Sequence, residues 1–201
     1  MIVPQTEGDL GAASPPAWTR LAPEVKRERI IEAAITVFAR EGLEAPMHAV
    51  AASAGAGVAS IYRIFPSKHD LWAAIVIRRV EEMAAAFEQA YERPGERWAA
   101  LVDVVSTHVA HQSPEPFFNE ARAVVEDRPD VAAAIARNVA AQARLIEAAR
   151  AEGRLRADAT PQDIRLLFAA TRAARRHDPD RVPRMLELML DALDSHRGTG
   201  S

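Results

Sequence analysis

Cysteine is absent from the 201-residue chain, so disulfides and thiolate-held zinc are excluded and a reducing compartment is compatible. No run of 18 apolar residues occurs, which excludes a membrane-spanning helix. The opening Met1–Glu7 has neither a basic n-region nor an apolar core, so no secretory signal is read there and a cytoplasmic location is expected. Also missing are a glycine-rich phosphate loop, a nucleophile elbow and paired carboxylates in a helical di-iron pattern. An enzyme is therefore not expected, and neither is a cofactor. Lysine is scarce too, 2 against 23 arginines, a bias that reads most simply as high-GC coding. Residues 18–70 carry a net charge of +1 and residues 71–201 a net charge of −2, so charge alone does not point to a nucleic-acid partner.

Strand-like alternation is missing as well, and what fills the chain is helical periodicity. Residues 1–22, with three prolines, two glycines and few large apolar side chains, read as a disordered arm, and 198–201 as a disordered tail. Helices are expected at about 24–41, 47–54, 58–64, 67–91, 96–111, 115–126, 129–152, 161–176 and 180–195. Ser67-Lys68-His69-Asp70 has the form of a capping box, and Thr160-Pro161 that of an N-cap followed by a first-turn proline. About nine helices on short connections make an all-α protein, with a three-helix domain at 23–66 and a helical regulatory domain at 67–197.

Residues 47–54, the Gly55-Ala56-Gly57 turn and residues 58–64 meet the description of a helix-turn-helix. With Ile61 as the inward anchor of an ideal helix, Phe65 lies about 40° away and Arg63 about 160° away, with Ser60 and Tyr62 about 100° to either side. Val58 and Ile64 fall about 60° off the anchor, at the margins of the buried stripe. Ser60, Tyr62 and Arg63 are thus offered outward, all of them types that contact DNA. On pattern alone, a short amphipathic core helix after a glycine turn fits equally well.

The sequence around this turn resembles the TetR family of bacterial transcriptional regulators. The resemblance runs through Arg29-Ile30-Ile31-Glu32-Ala33-Ala34, Phe38-Ala39-Arg40-Glu41-Gly42, Val50-Ala51-Ala52-Ser53-Ala54-Gly55 and Ser60-Ile61-Tyr62-Arg63-Ile64-Phe65-Pro66-Ser67-Lys68. It implies a homodimer on a palindromic operator in double-stranded DNA, released by a small-molecule inducer. It also implies that Gly57, Val58, Ala59, Ser60, Tyr62, Arg63, Ile64 and Lys68 face DNA. Arg63 is the candidate for guanine, and the Ser60 and Tyr62 hydroxyls and Lys68 for phosphate. Val58 and Ile64 depart from the polar residues frequent at those places, Pro46 from a Thr N-cap, and Ala56 from a larger Val. These departures keep open an alternative, a helical ligand-binding or scaffold protein with weakened DNA binding.

Downstream, the large side chains Trp72, Met83, Phe87, Trp98, Phe117 and Phe118 each read singly as core, and together they can line an apolar cavity. His108, His111, Asn119 and Arg122 fall near them in helix order, and one Arg in such a cavity suits a carboxylate or phenolic ligand. His108 and His111 also have i, i+3 spacing, but a third metal ligand, sought in Asp103 or Glu120, lacks recognisable spacing, and no metal is expected. Arg172, Arg175 and Arg176 read as a solvated or rim face. The apolar stripe of Leu186, Met189, Leu190 and Leu193, with Ile164, Leu167, Phe168 and Thr171, fits helices that pack on their own subunit and across a dimer, as the last two helices do in the family.

Overall fold

The computed structural model describes residues 18–111 and 117–196. The described chain holds nine α-helices: α1 (Pro23–Glu41), α2 (Met47–Ala54), α3 (Val58–Ile64), α4 (Lys68–Glu92), α5 (Arg97–Ala110), α6 (Phe117–Val125), α7 (Pro129–Ala151), α8 (Pro161–His177) and α9 (Val182–Leu193). Short 3-10 turns, Trp18–Arg20 and Pro179–Arg181, precede α1 and α9. Most of the expected arm (1–17), the start of the sixth expected helix (115–116) and the expected tail lie outside the described residues. Trp18 is half-buried against the neighbouring core. Among the described residues no helix is long and apolar enough to cross a membrane.

The helix ends follow local chemistry. The Ser67 hydroxyl accepts from the Asp70 amide at 3.1 Å, and the Asp70 carboxylate accepts from the Ser67 amide at 3.0 Å, which closes a capping box at the start of α4. Thr160 and Asp163 do the same for α8. At the start of α5 there is no local cap; instead Glu152, just past the end of α7, accepts from the Arg97 amide at 2.7 Å and the Trp98 amide at 3.2 Å. The end of α9 is tied back as well: buried Asp194 accepts from Arg154 at 2.9 Å, and Leu155 and Asp194 form an isolated antiparallel bridge.

Two apolar cores lie along α4. The first unites Ile30, Val37 and Phe38 of α1, Val50 of α2, Ile61 and Phe65 around α3 and Leu71 to Val76 of α4. It does not stop at the expected domain boundary between residues 66 and 67. Phe117, Ala121 and Val125 of α6 and Val131 of α7 belong to it, and the Phe38 and Phe117 rings lie 6.1 Å apart. The second core joins Phe87 of α4, Leu101 and Val105 of α5, Leu145 and Ile146 of α7, Leu167 of α8 and Leu186 of α9. Each of these helices buries one apolar stripe, as its periodicity requires.

Candidate DNA-reading face and ligand cavity

Gly55 (φ 66°) turns the chain between α2 and α3 in the left-handed region. Ile61 is fully buried and Phe65 nearly so, which sets the roll of α3. Gly57, Val58, Ala59, Tyr62 and Arg63 are then exposed, and Ser60, Ile64 and Lys68 half-buried. Val58 is 40% exposed, close to the 46% of Tyr62. It stands further out than the helical wheel implies because, as the first residue of α3, it has no preceding turn to cover it. Ile64 packs against the first core. The Lys68 ammonium sits 5.4 Å from the Trp72 ring centroid and 5.9 Å from that of Phe38, so cation–π contacts hold it at the start of α4. The eight positions therefore share one end of the molecule, around α3 and the first turn of α4.

A cavity of about 420 Å³ opens among α4, α6, α7 and α8, within the usual range for a small-molecule site. Of the ten residues predicted to line a cavity, Met83, His108, Phe117, Phe118, Asn119 and Arg122 do so. Trp72 belongs to the first core, and Phe87 and Trp98 to the second. Helix spacing alone gave no indication of which apolar face meets a void and which meets a neighbouring helix. His111 caps the end of α5, is exposed, and borders a second hollow of about 380 Å³ that shares Arg79, Glu82, Met83 and His108 with the first. Among the described residues no three His, Cys, Asp or Glu side chains gather as a metal site requires.

Beyond the predicted His108, Asn119 and Arg122, the polar part of the cavity wall comprises Arg78, Arg79, Glu82, Asn138, Gln142, Gln162, Arg165 and Arg172, which the sequence did not single out for it. Charged residues on a helix read as solvated, and only the cavity that α4, α6, α7 and α8 line together shows otherwise. His108 packs on Phe168 with ring centroids 4.5 Å apart. Its pKa is pushed down to about 4, first by burial and then by the Arg79 and Arg172 charges, so the ring is neutral near pH 7. Burial, with Arg122 and Arg176 nearby, also lowers the pKa of Arg172. Arg175, expected on a solvated or rim face, is half-buried and donates to the Val109 carbonyl at 2.5 Å, which satisfies the end of α5.

The residues expected to pack on their own subunit and across a dimer make the first of these contacts within the subunit. Ile164, Leu167, Phe168, Thr171, Leu186 and Leu190 are buried in their own subunit, and Met189 and Leu193 pack half-buried on the same core. The stripe that one sequence shows as too broad is mostly consumed internally. What α9 leaves outward is Leu188, 52% exposed, with Met185 and Ala192 on the same face.

The chain thus has the architecture of a helix-turn-helix joined through one long helix to a helical bundle with a cavity. Residues 30–75 match the family model described as bacterial regulatory proteins, tetR family. A TetR regulator from Mycobacterium vanbaalenii superposes with a TM-score of 0.63 at 26% identity, covering 84% of this chain and 95% of the other. One from Streptomyces coelicolor gives 0.61 at 28%, covering 84% and 98%. SmeT, the repressor of a Stenotrophomonas maltophilia multidrug efflux pump, shares the fold with a TM-score of 0.62 at 21% identity, over 89% and 93% of the two chains. No curated protein sequence matches the chain. Residues 30–75 thus match the DNA-binding segment of that family, and the described chain shares the fold of its solved members.

Proposed function

We propose that the protein is a ligand-responsive repressor, a cytoplasmic homodimer that binds a palindromic operator through α3 and is released by a small-molecule inducer. The observation that carries this reading is the double role of α4. Its first turn, Lys68 to Asp70, adjoins the α3 face, and one helix run further on Arg78, Arg79 and Met83 line the cavity. A ligand that moves this helix moves the reading head with it. SmeT, whose fold the chain shares, has been solved in complex with triclosan.

In this reading Arg63 contacts guanine, the Ser60 and Tyr62 hydroxyls and Lys68 meet phosphates, and Gly57, Val58, Ala59 and Ile64 form the apolar remainder of the surface, suited to thymine methyl groups. Exposed Val58 favours a second reading, a ligand-binding protein of this fold with weakened DNA affinity. Fluorescence anisotropy on labelled duplexes from the region upstream of the gene separates the two. The repressor binds one duplex about a thousandfold or more above a scrambled one at moderate salt. Arg63→Ala then costs about 1–3 kcal/mol and relaxes selectivity at one base pair. Equal affinity of the wild type for all duplexes leaves the second reading.

A further inference from the structure

The cavity wall is strongly unbalanced in charge. Arg78, Arg79, Arg122, Arg165 and Arg172 line it against Glu82 alone among the described lining carboxylates. Most of these arginines already have a partner. Arg78 pairs with Glu28 and, at 3.2 Å, with Glu82; Arg122 lies 3.9 Å from Glu126; Arg165 donates to Gln162. Arg172 is different: it is half-buried, and no ion pair holds it among the described residues. Its charged neighbours are arginines, Arg122 and Arg176, and the nearby His108 ring is neutral. A half-buried cation with no counter-charge is partly desolvated at a cost, and an anion that enters with its own apolar body relieves it.

A second unpaired group faces the same space. Gln142 is 1% exposed; its Nε2 donates to Asn138 Oδ1 at 3.1 Å, and its Oε1 has no partner among the described residues. A buried amide oxygen left unpaired requires a donor. Between these polar groups the wall is apolar, with Val80, Phe117, Phe118, Ile135 and Phe168.

We infer that the cavity takes a monoanionic carboxylate on an apolar body, with the Arg172 guanidinium as its counter-charge and the Gln142 amide oxygen accepting from a hydroxyl or N–H on that body. This deepens, and rests on, the ligand-responsive reading above. The planar guanidinium matches a carboxylate through two parallel hydrogen bonds. A dianionic phosphate fits less well, because the other four lining arginines are already engaged by Glu28, Glu82, Glu126 or Gln162.

Calorimetric titration of the full chain with octanoate, dodecanoate and naphthoate, each beside its carboxamide, tests the assignment. The best carboxylate binds about ten- to hundredfold more tightly than its amide, and Arg172→Gln removes that advantage while leaving amide binding unchanged. A hydroxyl placed around the naphthoate ring improves affinity in at least one isomer, and Gln142→Leu abolishes the gain. Unliganded Arg172→Gln melts at or above the wild-type temperature, since the variant loses an unpaired charge. Equal binding of acid and amide, an unchanged acid affinity in Arg172→Gln, a lower melting temperature for that variant, or no acid binding at about 1 mM overturns the inference. A carboxylate that binds without altering DNA affinity sinks the repressor reading and leaves the cavity assignment standing. Release from DNA by a neutral compound alone does the reverse.

Discussion

Gly55 shows how much of the reading head depends on single atoms. Its φ of 66° is costly for any residue with a side chain, and a Cβ there would stand 3.2 Å from the Arg29 guanidinium. Gly55→Ala should therefore lower stability by about 1–2 kcal/mol, measured by urea unfolding, with the backbone rather than the contact responsible because the Arg29 tip can swing away. At this scale the sequence was legible where chemistry is local. The Ser67 and Asp70 capping box and the buried positions of Ile61 and Phe65 follow from spacing alone. Arg172 and Gln142 were not legible, because polar residues on a helix declare nothing about the helix opposite; neither were Trp72, Phe87 and Trp98, whose hydrophobicity suits a void and a packed core equally.

Between elements, the start of α4 carries the densest coupling. Asp70 caps the helix through Ser67 and also accepts from Arg128, ahead of α7, at 3.0 Å. The Ser67 hydroxyl, then Arg128, hold its carboxyl below the usual carboxylate range. Because the folded pKa lies below the unfolded value, this stabilisation is complete near neutral pH and fades as pH falls below about 4. Asp70→Asn should melt below the wild type at pH 7, and the gap between the two melting temperatures should close toward about pH 3. A gap that stays constant with pH would assign Asp70 a packing role instead. Helix order and approximate ends were readable from periodicity and caps, whereas the Glu152 cap on α5 joins residues 55 positions apart and leaves no local trace.

For the whole molecule, the proposed dimer must use what the subunit leaves free. Leu190 is buried in its own core, so a charge there would damage folding before it tested association. Leu188 is the informative position. Leu188→Glu should shift the protein from dimer to monomer in size-exclusion chromatography with light scattering, with the helical circular dichroism intact. A wild type that is monomeric at micromolar concentration would remove the dimer, and with it the two-fold operator.

The first core, which runs from Phe38 across to Phe117, has a consequence for modularity. Residues 23–66 look like a detachable reading head in one dimension, yet part of their hydrophobic floor is supplied by α6, more than fifty residues downstream. Transplanted alone onto a foreign bundle, that segment would present Phe38 to water. The natural unit of exchange is the head together with α4 and α6, and a chimera that respects it carries the cavity wall along with the specificity.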